Sequence, residues 1–349
     1  MLVLPENYMQ RCFELARLGI GHTSPNPMVG AVLVHRNRII GEGFHTRYGF
    51  PHAEVEAVRS VNDQDRHLIP ESTLYVSLEP CSVHGRTPLC SDLIIRERIP
   101  EVVISYIDRS PGVNGEGVAR LRKHGVKVTE GILSETGRLL SAPRNTFVTR
   151  QRPYIILKYA ASVNGFLGLP GGAPVWLTNA YSKRLVHRWR AETDAIMVGT
   201  NTALNDNPRL TTRLFPGSSP IRIIPDRHLR LPQDLHIFDD SIPTLVFTLQ
   251  DTPTHHLSQT EYIKVEANHF FEALLQELFR RNIQTLMLEG GRDLLSYFIR
   301  HGLWDEARVF VTPKYLPDGI PAPQPGVAPH QVHYLREDRL EVYYGPGIC

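Results

Sequence analysis

Between His52 and Cys90 the chain reads PHAEVEAV, then a strand-like LYVSLE, then PCSVHGRTPLC. One imidazole, one carboxylate and two thiols in this order constrain both chemistry and local fold. His52, Cys81 and Cys90 can fill three tetrahedral positions around Zn²⁺ and leave the fourth to water, the pattern of a catalytic rather than a closed structural site. Glu54, two residues past the histidine, is then the proton carrier. His52 and Glu54 are expected to open an amphipathic helix whose Val55, Val58 and Val61 face a core. Pro80 should end a strand over 73–79 and start the next helix, where its missing N–H costs nothing. That would set Cys81 at a helix N-terminus, whose positive partial charge favours the thiolate.

Neither H-x-E nor a single cysteine is specific alone, but in this order they resemble the zinc nucleoside-deaminase signature H-x-E…P-C-x-x-C. The departure is eight residues, not two, between the thiols. Four cysteines, Cys12, Cys81, Cys90 and Cys349, are too sparse for a secreted disulfide scaffold. Lys and Arg total 38 against 36 Asp and Glu, a net +2, with no basic run to grip a nucleic acid. MLVLPENYMQRC lacks the features of a secretion signal, and no apolar run reaches membrane-spanning length. A cytoplasmic enzyme with a nucleotide-sized substrate is therefore expected, with no nucleic-acid or membrane partner.

At 349 residues the chain exceeds what one core usually serves, so two domains are expected. A helix at 6–18, a hairpin of 29–34 with 39–44, strands at 73–79, 102–107 and 126–129, and helices after Cys90 and near 117–124 predict a three-layer α/β domain. The segment 141–154, with Pro143 and Pro153, reads as a basic, turn-prone link, so the boundary is set near 147–152, giving domains 1–147 and 148–349. Beyond it, strands at 154–162, 195–199, 221–225, 244–249, 262–266, 285–289 and 306–312 alternate with helices at 179–192, 269–281 and 291–301. This half reads as a mostly parallel, doubly wound sheet. The Pro-rich 313–329 reads as an ordered loop or extended arm.

Two stretches of the second half suit a phosphorylated ligand. Gly290 and Gly291 of LEGGRDLL fall between a strand and a helix, where small residues admit a phosphate to backbone N–H groups, although such a pair is more often an ordinary turn. VGTNTALNDNPRLTTR at 198–213 gathers hydroxyls, amides, Arg209 and Arg213 after a strand, which suits phosphate or ribose as well as a solvated loop.

HAEVEAV, LYVSLEPCSVHGRTPLC, LKYAASVNG, VWLT, VGTNTALNDNPRLTTR and LEGG, in this order, resemble the bifunctional riboflavin-biosynthesis deaminase/reductase family over nearly the whole chain. The resemblance implies an α/β protein with a cytidine-deaminase-like N-terminal domain and a dihydrofolate-reductase-like C-terminal domain. It implies one zinc per chain and NADPH. The first reaction would remove an amino group hydrolytically from 2,5-diamino-6-ribosylamino-4(3H)-pyrimidinone 5′-phosphate, with Glu54 as general acid and base. The second would reduce the ribosyl group to ribityl.

Matching positions imply that Asn26 and His45 line the base pocket and that Arg86 and Thr87 hold the ribose phosphate. Ala161, Trp176, Thr202, Asp206 and Gly291, Arg292, Asp293 and Leu294 resemble cofactor contacts. Arg190, Leu210, Arg213 and Glu289 resemble substrate contacts, and Lys158 matches a lysine near the reacting centre. On residue type alone, Trp176 suits a core and Arg190 a helix surface equally well. Family members often assemble, which extends to a homo-oligomer here by analogy.

Three positions depart from the family pattern: Val83 for a usual histidine, DRSP at 108–111 for DPNP, and Asn164 for a common aspartate. The second bears on phosphate contacts through Asp108 and Ser110, and Arg109 is expected to add a compensating cation.

Overall fold

Arg152 and Pro153 mark the division of the chain, seen in a computed structural model that describes residues 4–82, 89–170, 175–251 and 257–348. The units are Met1–Arg152 and Pro153–Cys349. The expected cut after 147 falls inside a helix that runs on to Arg150.

The first unit runs α1 (Pro5–Arg17), β1 (Gly30–His35), β2 (Arg38–Phe44), α2 (Ala53–Arg59), β3 (Thr73–Leu78), α3 (Cys90–Arg96), β4 (Glu101–Tyr106), α4 (Glu116–Lys123), β5 (Lys127–Glu130) and α5 (Ser134–Arg150). Its sheet has the order β2-β1-β3-β4-β5, with β1 antiparallel to both neighbours and β3, β4 and β5 parallel. Strand side chains alternate between faces, and both faces are apolar. Ala31, Leu33, Leu74, Val76, Val102 and Ile104 meet Ala57 and Val58 of α2, Leu93 and Ile94 of α3 and Leu121 of α4. Val32, Val34, Tyr75 and Val103 meet Met9, Cys12 and Phe13 of α1. The expected three layers are present.

Close packing of α2 on β2 positions the histidine and glutamate. A Cβ at Gly43 would lie 2.3 Å from the backbone nitrogen of Ala57, and one at Gly41 2.3 Å from the Ala57 carbonyl oxygen. Only glycine lets the helix come this near. Val58 and Val61 are buried in the core below, with Val55 partly buried against it.

The second unit runs β6 (Tyr154–Ser162), β7 (Phe166–Gly168), α6 (Ala180–Glu192), β8 (Ala195–Met197), α7 (Thr200–Asp206), β9 (Ile221–Pro225), β10 (Thr244–Thr248), β11 (Thr260–Lys264), α8 (Phe270–Arg280), β12 (Thr285–Leu288), α9 (Arg292–Arg300), β13 (Glu306–Thr312), β14 (Ile320–Pro321), β15 (Gln331–Leu335) and β16 (Asp338–Tyr344). In the sheet order β11-β10-β9-β8-β12-β6-β13-β16-β15, the strands from β11 to β13 are parallel. β16 and β15 close one edge antiparallel, giving the mostly parallel, dihydrofolate-reductase-like sheet. Phe271, Leu274 and Leu278 of α8 and Leu295 and Phe298 of α9 pack on Ile155, Leu157, Leu286 and Leu288.

Three readings need correction. The segment taken as a link is most of α5, a 17-residue helix with Pro143 inside it. Its buried face is small, with Gly137, Ser141, Ala142 and Thr146 beside Phe147, so it shows no strong apolar period. A Cβ at Gly137 would be 2.3 Å from Ser105 Oγ, so that small face is what lets α5 lie on β4. Pro80 does not open a helix: Pro80–Ser82 are irregular, and α3 starts at Cys90. The polar stretch after β8 contains the short helix α7, of which only Ala203 is buried. Among the described residues no helix is long and apolar enough to cross a membrane.

Candidate functional site

In the first unit, His52 is the N-cap of α2, Cys81 follows β3, and Cys90 is the first residue of α3. Their ligand atoms all lie within 4.8 Å of one another. His52 Nδ1 is 3.3 Å from Cys90 Sγ and 3.6 Å from Cys81 Sγ. A tetrahedral zinc with bonds of about 2.3 Å to sulfur and 2.0 Å to nitrogen holds such pairs about 3.5 Å apart. The donor set therefore fits zinc.

The Cys90 backbone N–H points at Cys81 Sγ, 3.4 Å away. The helix end expected to favour the Cys81 thiolate is thus that of α3, not one beginning at Pro80. The Cys90 side chain first, and His52 after it, hold the Cys81 thiol below its usual range against the opposing effect of burial. Glu54 is 3% exposed, and burial pushes its pKa up while His52 pulls it down. A buried carboxylate held beside the ligand cluster in this way is placed to hold and pass on a proton.

His52, Glu54 and Cys81 line a cavity of about 340 Å³ together with Asn26 and His45. His45 Nδ1 lies 3.0 Å from the Pro51 carbonyl oxygen, which can only accept, so the ring proton is on Nδ1. Nε2 then accepts from Asn26 Nδ2 at 3.1 Å, which fixes the orientation of the Asn26 amide. Burial, partly offset by the Pro51 carbonyl, lowers the His45 pKa and keeps the ring neutral at pH 7.

The sequence reading missed Glu79 and Arg144, which also line this cavity. Glu79 accepts from the N–H groups of Gly115 at 2.9 Å and Gly117 at 2.8 Å, capping the start of α4. Its place in LEPC, at a strand end before a ligand, was the available signal. Arg109 is exposed over the Tyr106 ring and is not in the cavity wall. Arg86 and Thr87, and Val83 with them, lie outside the described residues.

In the second unit a cavity of about 970 Å³ is lined by Lys158, Trp176, Arg190, Thr202, Asp206, Leu210, Glu289 and Gly291 through Leu294. Ala161 and Arg213 are not in its wall; Ala160 is, and Arg213 is exposed with its backbone N–H on His187 Nδ1 at 3.0 Å. Trp176 is 70% exposed, so it is not core, and the Lys183 ammonium sits 3.9 Å over its ring.

Arg190 is no surface cation. Its Nε and Nη2 donate to Glu289 Oε1 and Oε2 at 2.7 and 2.8 Å, and Lys158 Nζ is 3.5 Å from Oε2. Burial pushes the Glu289 pKa up, but Arg190 and Lys158 overcome it and hold the group at about 2.

Gly290 and Gly291 enter α9 with φ of 105° and 77°. A Cβ on Gly291 would lie 2.9 Å from Thr202 Oγ1, so this cradle is open only to glycine. Backbone N–H groups at the start of α9, the Thr202 hydroxyl and the lining cations Arg227, Arg292 and Arg300 fit the phosphates of a dinucleotide.

Comparison with known proteins gives two family matches: the cytidine and deoxycytidylate deaminase zinc-binding region over residues 4–106 and the RibD C-terminal domain over residues 153–341. The chain is 37% identical to the riboflavin biosynthesis protein RibD of Aquifex aeolicus, over 91% of this chain and 89% of that protein. It is 34% identical to the RibD protein of Escherichia coli, over 89% and 88%. The crystal structure of a diaminohydroxyphosphoribosylaminopyrimidine deaminase/5-amino-6-(5-phosphoribosylamino)uracil reductase from Thermotoga maritima superposes with a TM-score of 0.88 at 35% identity, covering 97% of this chain and 98% of that one. Acinetobacter baumannii RibD gives 0.85 at 30% identity, with the same coverage.

Proposed function

Because the chain belongs to the RibD family of bifunctional riboflavin-biosynthesis deaminase/reductases, we propose that the two cavities divide its two reactions, with the residue roles that follow. The first unit hydrolyses the amino group from the diaminopyrimidinone ribosyl phosphate, and the second reduces the ribosyl group to ribityl. The observation that carries this reading is the His52, Cys81 and Cys90 cluster set beside a buried Glu54 in one cavity wall.

Zinc, when held by His52, Cys81 and Cys90, supplies a Lewis acid that brings the pKa of water toward neutrality. Glu54 takes the proton from the attacking water at its carboxylate and returns it to the departing nitrogen. His45 accepts one Asn26 amide hydrogen, so the remaining Asn26 donor and its carbonyl oxygen are presented to the pyrimidine. Arg86 and Thr87 belong to this reading as ribose-phosphate contacts, on sequence correspondence.

NADPH, when bound, supplies the hydride for the second reaction. Trp176, Thr202, Asp206 and the Gly291–Leu294 turn hold it, with Ala161 behind them on β6. Glu289 fixes the Arg190 guanidinium and the Lys158 ammonium at the cavity wall, where they orient the substrate beside Leu210, with Arg213 outside the wall as a contact on sequence correspondence alone. Lys158, by sequence correspondence, is the lysine near the reacting centre. A cytoplasmic location is supported by the need for two reduced thiols, and a homo-oligomer by family habit, to be read from light scattering.

Time courses on the diaminopyrimidinone ribosyl phosphate test the division. Ammonia should appear without NADPH, and NADPH added later should be consumed one for one with the deaminated product. NADPH oxidation ahead of ammonia release would reverse the order.

A further inference from the structure

α5 brings one arginine into the wall of the deaminase cavity. Arg144 Nε donates to Ser110 Oγ at 3.2 Å and Nη1 to the Pro25 carbonyl oxygen at 2.9 Å. Both partners are neutral, and no described carboxylate pairs with it within 4 Å, Asp108 acting only at longer range. A guanidinium has five donors, so these contacts leave most of the fork unused. Burial lowers its pKa, the sign of a cation held away from water. Arg144 is half-buried, and a partly desolvated charge with no direct ion pair is stabilised when an anion arrives.

Among the described residues lining this cavity, Arg144 is the one arginine or lysine, in a wall that also holds the carboxyl groups of Glu54, Glu79 and Asp108. A substrate bearing a phosphate dianion needs a cation there. Arg109, expected to add a compensating cation beside the Arg86 and Thr87 contacts, is exposed outside the wall.

We propose that Arg144 is a further anion anchor of the deaminase cavity and contacts the phosphate of the ribosyl phosphate in addition to Arg86 and Thr87, a specificity role that rests on the deaminase reading above. The planar fork suits bidentate phosphate binding, with Ser110 holding its Nε edge. Its hold on Pro25 also ties the anchored phosphate to the chain one residue before Asn26, coupling phosphate recognition to the base pocket.

The test uses the full-length zinc-loaded protein and reads ammonia release, without NADPH, from the ribosyl phosphate and from the dephosphorylated riboside. In wild type kcat/KM should favour the phosphate. In Arg144→Met the ratio of the two kcat/KM values should fall by roughly 10- to 150-fold, the span of a charge-assisted contact. Most of that fall should be in KM for the phosphate, and Arg144→Lys should recover part of it. An unchanged ratio, with both substrates slowed alike, overturns the proposal and leaves Arg144 a purely structural tie.

Calorimetric titration with ribose 5-phosphate separates this from failure of the deaminase reading. If wild type deaminates neither compound, that reading fails. A phosphate site lost in Arg144→Met would still uphold the anchor, and identical titrations would refute it.

Discussion

Glu289 and Arg190 form a two-pronged ion pair at 2.7 and 2.8 Å in the wall of the larger cavity, both side chains nearly out of solvent. Lys158 shares the same carboxylate at 3.5 Å. The pair joins the strand end after β12 to α6, so it holds the cavity together as well as presenting a cation to it.

Its pH dependence follows from the sign of the shift. Glu289 sits at about 2, below the usual carboxylate value of 4.5, so its ionised form stabilises the fold. That contribution is complete above about pH 4.5 and is lost as pH falls toward 2, and the shift corresponds to ~3 kcal/mol. Urea unfolding of Glu289→Gln should show a deficit of about 3 kcal/mol at pH 7, in the range for breaking a buried pair, shrinking as pH drops below 4.5. A deficit independent of pH would remove the ion pair from the account.

Gly291→Ala forces a side chain into a left-handed turn and toward Thr202 Oγ1. The strain should weaken NADPH binding by roughly 10-fold or more, measured by fluorescence titration, with ammonia release unaltered. Wild-type affinity in the variant would mean that the cofactor does not approach this turn.

Gly43→Ala tests the seating of α2. The added methyl meets the Ala57 backbone and should cost about 1–3 kcal/mol by overpacking. Zinc content per chain should fall with it, because the helix carries His52. Full zinc content at an unchanged melting temperature would show that α2 tolerates displacement.

Chelation should separate the two activities. Among the described residues, those lining the larger cavity all belong to the Pro153–Cys349 unit. Stripping the metal is therefore expected to abolish ammonia release while leaving NADPH oxidation on predeaminated substrate within about twofold. Equal loss of both would tie the reductase to the metal.

What could be read in the sequence followed from strength of pattern. Tyr154–Ser162 and Glu306–Thr312 were legible at their observed bounds because buried parallel strands carry near-continuous apolar runs. His52, Glu54, Cys81 and Cys90 were legible because side-chain chemistry, not folding, limits what can serve. α5 was not, since its buried face is built from small residues around Pro143, which mimic a turn-rich linker. Missing that helix meant missing Arg144, which lines the deaminase cavity where Arg109 does not. α7 was hidden for the opposite reason: Thr200, Asn201, Thr202, Asn205 and Asp206 line a cavity, so its amphipathic stripe is polar.

The measurement that bears most directly on the central claim is a paired assay of wild type and Glu54→Gln, with metal analysis, on the diaminopyrimidinone ribosyl phosphate. The account predicts about one zinc per chain in both proteins. Ammonia release should be lost in the variant, which should still oxidise NADPH on predeaminated substrate. Ammonia release undiminished in a zinc-loaded Glu54→Gln would contradict it, and the buried carboxylate would then have no part in the chemistry.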